Sequence, residues 1–211
     1  RDHLKTVLFK VWRTSCQVPE ANTYRWAILG LIAGGGCLVF FSTQLGLSLW
    51  LAIPFFAIYF VLSIMVARMR AELGFFTHPM WGIMAPDMLI SLAGSRALGA
   101  KNLTIMALYR WFNFGFSSHQ MPHQLEALKI TDRTGIDQQK IAYSLIFITA
   151  LGGVLIAWVH LHIFYRVGAL NGGLWARGGG NLTFNALQNW IVYPQEQNLL
   201  SIIFMGIGLW V

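Results

Sequence analysis

Charge is what this 211-residue chain has least of: Asp, Glu, Lys and Arg make up 11% of it, against about 25% in soluble globular domains. Water is a poor solvent for such a chain, and 56% hydrophobic residues with a mean hydropathy of +0.56 point to a membrane protein. Cysteine is nearly absent. Cys16 lies in a basic flank and Cys37 in an apolar run, which leaves no basis for a disulfide framework or a cysteine metal cluster. The net charge of +7 comes without a basic stripe interleaved with aromatics, so nucleic acid is not an expected partner. No Ser/His/Asp or Cys/His nucleophile arrangement can be assembled, and "ARGGGN" lacks the Lys-Ser or Lys-Thr that completes a phosphate loop. Neither an enzyme nor a cofactor is expected.

Long apolar runs are what the chain does have. The spans expected from them are 26–46 ("WAILGLIAGGGCLVFFSTQLG"), 47–68, 141–164, and the start of another at 199–211, each judged against the roughly 20 residues needed to cross a bilayer. The last run is only about 13 residues long, and the chain opens without a methionine or a leader pattern. Both features suggest a piece of a longer multi-pass protein forming a single membrane domain. Gly30 and Gly34 form a GxxxG arrangement in the first span, which predicts close approach of a neighbouring helix. Residues 3–13 space Leu4, Val7, Leu8 and Val11 as an amphipathic surface helix or the end of an earlier span.

Lys and Arg set the orientation. Arg1, Lys5, Lys10, Arg13 and Arg25 precede the first span; Arg68 and Arg70 follow the second; Lys129, Arg133 and Lys140 precede the long one. Placing these on the cytoplasmic side of an inner membrane puts residues 1–25 and 122–140 inside and leaves Arg166 and Arg177 facing out.

Between 75 and 118 the periodicity breaks. The stretch is apolar but divided by Pro79, Pro86, Gly94 and Gly99, and it carries Asp87 and Arg110. A re-entrant hairpin, two short tilted spans (80–94 and 102–116) and helices lying in the interface all fit. An ionised side chain at bilayer depth costs at least about 2.5–3.5 kcal/mol on insertion scales, so Asp87 and Arg110 are expected to face each other or a shared polar cavity, or else water at the interface. Downstream, "SSHQMPHQLE" holds His119 and His123 at i, i+4, a zinc-like spacing, but Pro122 belongs at a helix start. No metal is expected there. His119 then sits in the entry turn, with His123, Gln124 and Glu126 at the cytoplasmic mouth of the helices and Glu126 in the first turn, where the helix dipole favours it. Gly135 is the expected stop. His160 and His162, two apart on one helix, point in different directions and cannot share an ion; each would need a partner helix to hold a haem or pigment.

Taken in order, "RAELGF", "APDMLI", "LGAKNLT", "RWFNFGFSSHQMPHQLEALK" and "WVHLHIFYRVGA" resemble an uncharacterised family of large bacterial multi-pass membrane proteins, itself distantly similar to the oligopeptide transporter superfamily. The resemblance runs from about Arg70 to the end. It implies a helical, transporter-like fold and singles out Arg70, Glu72, Pro86, Asp87, Trp111, Asn113, His119, Pro122, His123, Gln124 and Glu126 as motif positions. The reading that follows is an all-α polytopic transmembrane helix bundle with an interrupted or re-entrant segment and short interfacial helices. Its expected function is secondary transport of peptides or small polar solutes, with Asp87, Arg110, His119, His123 and Glu126 lining or gating the path. The lipid bilayer and a small-molecule or peptide substrate are the expected partners. The alternative is a structural or accessory subunit of a larger membrane complex, such as one containing pigment or haem.

Overall fold

The structure, a computed structural model, describes residues 19–74, 83–113, 116, 119–168, 171 and 174–210. The surface helix expected over residues 3–13 lies outside them. Every regular element among the described residues is a helix: α1 (Pro19–Leu45), α2 (Leu49–Leu73), α3 (Ala85–Ala93), α4 (Ser95–Leu108), α5 (Arg110–Asn113), α6 (Gln120–Thr134), α7 (Gln138–Val167), α8 (Leu174–Val192) and α9 (Leu199–Trp210). Contacts divide the chain into two units, residues 1–56 and 57–211, with the boundary inside α2.

In the first unit, α1 starts at Pro19, a residue suited to a first helical turn, and ends at Gly46, whose φ of 108° few residues with a Cβ adopt. The tight link is closed by Gly46 N–H donating to the Thr43 carbonyl and Leu47 N–H donating to the Ser42 carbonyl, both at 3.0 Å. Buried Ser42 returns its hydroxyl to the Leu38 carbonyl at 2.8 Å, so an apolar helix carries this serine without an unpaired donor. Leu29, Leu31, Ile32, Phe40 and Phe41 of α1 stay exposed. Nothing lies within 4 Å of a Cβ built at Gly30 or Gly34. The close helix approach expected from the GxxxG spacing is therefore not made among the described residues.

Among the described residues, three helices are long and apolar enough to cross a membrane: Arg25–Leu45 within α1, Leu49–Leu73 and Gln138–Val167. At about 1.5 Å per residue, the 30 residues of α7 reach about 45 Å, more than the roughly 30 Å hydrocarbon core. None of its residues is buried in the protein. Ile146, Phe147, Ile148, Leu151, Val154, Leu155 and Ile156 all face outward, and burying an apolar side chain of that size is worth about 1.5–3 kcal/mol. Such a surface is stable in hydrocarbon and costly in water.

The second unit places the polar groups. Its α2 runs past the expected end of the span, carried by an Arg68–Glu72 pair one turn apart at 2.8 Å, and closes at Gly74, whose N–H donates to the Arg70 carbonyl. That extra turn keeps Arg70 on the helix. The broken region resolves at Gly94 rather than over 95–101. Gly94 has φ 79° and ψ 145°, which separates α3 from α4, and Gly99 (φ 75°, ψ 150°) kinks α4. Met88 of α3, with Leu62 and Val66 of α2, packs around Phe116. The main packing of α4 is against α8, while α9 lies on α3 and α6 on α7. Gly135 ends α6 in the left-handed conformation (φ 70°), and Asp137 caps α7 by accepting from Gln139 N–H at 3.0 Å.

Candidate functional site

Among the described residues of the second unit, two constellations of charge join segments distant in sequence. In the first, Arg70 from the last turns of α2 grips Glu126 of α6 in a two-point fork. Its Nε donates to Oε1 and its Nη2 to Oε2, the latter at 2.8 Å. Such paired, charge-assisted bonds fix orientation as well as distance. Arg70 Nη1 lies 3.3 Å from His123 Nε2. Guanidinium only donates, so that ring nitrogen accepts, which requires the neutral imidazole with its proton on Nδ1. His123 Nδ1 is 4.0 Å from Glu126 Oε2.

The placement of α6 depends on the turn before it. Phe116 adopts a positive φ of 46°, sparsely populated for a bulky residue, and accepts a bond from His119 N–H at 3.0 Å. This turns the Phe116 ring onto Tyr59 of α2, stacked at 5.9 Å, with the His119 ring edge-on to both at 5.8 and 5.4 Å. His119 occupies the cap position and α6 begins at Gln120, two residues before the proline that marks its first turn. His119 therefore packs among aromatics while His123 turns toward Arg70. Glu126 lies beyond the first turn, so its anchor is Arg70 and not the helix dipole. Among the described residues no group of three or more His, Cys, Asp and Glu side chains could hold a metal.

The second constellation is built on the broken helices. Asp87 stands in the first turn of α3, where the helix dipole favours a carboxylate. Its Oδ1 accepts from Arg110 Nη1 of α5 at 2.8 Å, and the Arg110 guanidinium lies 5.6 Å from the Trp190 ring of α8, within cation–π range. The cation is thus held between a carboxylate and an aromatic face. Arg110 Nε and Asn113 Oδ1 are buried without a hydrogen-bond partner among the described residues, a polar cost at the junction where α3, α5 and α8 meet.

Burial pushes the Asp87 carboxyl above the usual carboxylate range, outweighing the opposite pull of Arg110. The folded state then holds the proton more tightly than the unfolded chain does. The contribution is fully present in acid and is lost as pH rises from about 4, the ordinary aspartate value, through the raised one. Asp87→Asn keeps an oxygen for Arg110 without the buried charge. We expect it to change stability at neutral pH by less than about 1 kcal/mol and to flatten this part of the melting profile. Asp87→Leu leaves Arg110 without its acceptor, at a cost of about 2 kcal/mol. Melting curves of both variants between acid and neutral pH check this, and equal losses for Asn and Leu would contradict it.

Of the residues expected from sequence, Asp87 and Arg110 form one pair, His123 and Glu126 share another group, and His119 stands beside it. Arg70, read from sequence as part of the cytoplasmic charge flank and as a motif position, also pairs with Glu126. The Trp190 contact carried no sequence signal, whereas Arg70 did: it opens the first of the ordered motifs and lies in the polar turn closing an apolar span.

A family model described as "Family of unknown function (DUF6785)" matches residues 1–211, and the chain belongs to that family. The match takes in residues 1–69, which the ordered motifs did not reach. No curated protein and no solved structure matches the chain.

Proposed function

We propose that this member of a family of unknown function is part of a multi-pass membrane transporter for peptides or small polar solutes, distantly related to the oligopeptide transporters. The observation that supports the reading is the Asp87–Arg110 pair, held at 2.8 Å where short, glycine-broken helices meet. Interrupted helices with paired charges are characteristic of solute sites in secondary transporters, because loose backbone within a membrane protein is tolerated only around a cavity. Asp87 and Arg110 line the path, and His119, His123 and Glu126 control its mouth, with Arg70 locking α2 to α6. The test is uptake of a mixed library of short peptides and amino acids into proteoliposomes. Accumulation above empty liposomes, reduced at least about tenfold by Asp87→Leu, supports the reading, and no accumulation of any component overturns it.

A second reading, an accessory subunit of a larger membrane assembly, is favoured by α7, which buries none of its residues. His160 Nδ1 stands 2.9 Å from the Ile156 carbonyl and His162 stacks on Trp158 at 5.7 Å, so both histidines have local partners on their own helix. Cross-linking from α7 to a different polypeptide in native membranes, or visible-range absorbance of the purified protein, would favour this reading over transport.

A further inference from the structure

A third polar feature stands apart from both ion pairs. Helices α3 and α4 are joined by a turn at Gly94, and α8 and α9 by a segment over residues 193–198. The two connections are clasped. Ser95 N–H donates to the Gln195 carbonyl at 2.9 Å, Gln195 N–H donates to Ser95 Oγ at 2.8 Å, and Asn198 N–H donates to the Ser91 carbonyl at 3.0 Å. The approach is close enough that a Cβ at Gly94 would lie 3.2 Å from the Gln195 carbonyl oxygen. Backbone bonds therefore fix the wall of what lies beside them, a cleft of about 620 Å³, within the range of small-molecule sites.

Its lining is mixed in a specific way. Arg96 comes from the start of α4 and Glu196 from the α8–α9 connection, Gln195 and Gln197 add neutral polar groups, and Ala97 and Leu199 supply apolar wall. Among the described residues neither Arg96 nor Glu196 takes part in an ion pair. One cleft thus presents a cation and an anion, neither neutralised by a partner among the described residues. A ligand of single charge would meet one attractive and one repulsive group, whereas a ligand with opposite charges at its two ends satisfies both.

We propose that this cleft binds a small zwitterion, with its carboxylate on Arg96 and its ammonium on Glu196. The proposal rests on the solute-transport reading and adds to it a substrate class and a place of capture.

The test is calorimetric titration of the chain in nanodiscs with 6-aminohexanoate and with trialanine, which carry the same end charges on an alkyl and a peptide backbone. Saturable binding is expected. Arg96→Gln and Glu196→Gln should each weaken it at least about tenfold, the scale of a charge-assisted hydrogen bond, with unchanged melting because both residues are exposed. Hexanoate, which lacks the ammonium, should bind at least about tenfold more weakly than 6-aminohexanoate to the wild type but equally to Glu196→Gln. Binding of trialanine alone, with the same response to the variants, supports the site and restricts it to peptides. Absence of saturable binding by both probes, or variants that bind as the wild type does, overturns it. Binding without uptake into proteoliposomes would leave the site standing and remove the transport reading. Uptake unchanged by both variants would do the reverse.

Discussion

Glu126→Ala is expected to destabilise the protein by about 3 kcal/mol, and to do more damage than Arg70→Met, although both break the same ion pair. The difference comes from where each charge is left. The Arg70 side chain is 8% exposed and that of Glu126 48%, so without Glu126 a guanidinium stays enclosed with, among the described residues, His123 as its remaining side-chain partner, and His123 can offer one acceptor. An uncompensated buried charge costs about 3–5 kcal/mol. Without Arg70 the carboxylate turns to water, and methionine fills the space of the arginine stem, holding the loss to about 1 kcal/mol. Chemical denaturation of both variants in the same detergent measures the order. An Arg70→Met loss as large as that of Glu126→Ala would show that the fork is not the asymmetric lock described here.

The second large effect is expected at Gly94. Its φ of 79° with ψ of 145° lies close to a region that only glycine occupies without strain, at a cost of about 1–3 kcal/mol for other residues. The 3.2 Å contact with the Gln195 carbonyl adds a steric penalty on top. Gly94→Ala should therefore cost about 3 kcal/mol, because relief requires the Ser95–Gln195 clasp to open. Gly99 is the matched control. It has nearly the same backbone angles, φ 75° and ψ 150°, but nothing within 4 Å of a Cβ built on it. Gly99→Ala should pay the backbone strain alone. The difference between the two variants reports the clasp, and equal losses would mean that the two connections do not depend on one another.

How much of this was legible in the sequence varies along the chain, for physical reasons. The helices of α1, α2 and α7 follow from uninterrupted apolar runs, since length and hydropathy are local properties. The stop at Gly135 and the entry at His119 follow from capping chemistry that a short window carries. Gly94 and Gly99 were visible as breaks, but which would separate two helices and which would only kink one depended on the neighbouring turn at Gln195, a hundred residues away. Arg70 shows the same limit. A basic residue at a span end is ordinarily an interfacial charge, and its partner Glu126 lies 56 positions further on, a pairing that no periodicity encodes. Asp87 and Arg110 could be suspected of facing one another because a lone charge in an apolar stretch needs a partner; that Trp190 would cover the guanidinium could not.

The transport reading we propose expects α7 to cross a bilayer, with residues 135–137 on the cytoplasmic side and residue 171 on the other. The direct measurement replaces Cys16 and Cys37 by serine, introduces single cysteines at Ile136 and Asn171, and exposes intact cells to a membrane-impermeant thiol reagent. Labelling is expected at 171 in intact cells and at 136 only after permeabilisation. Labelling of both positions in intact cells, or protection of both, would place the two ends of α7 on one side of the membrane and contradict the account.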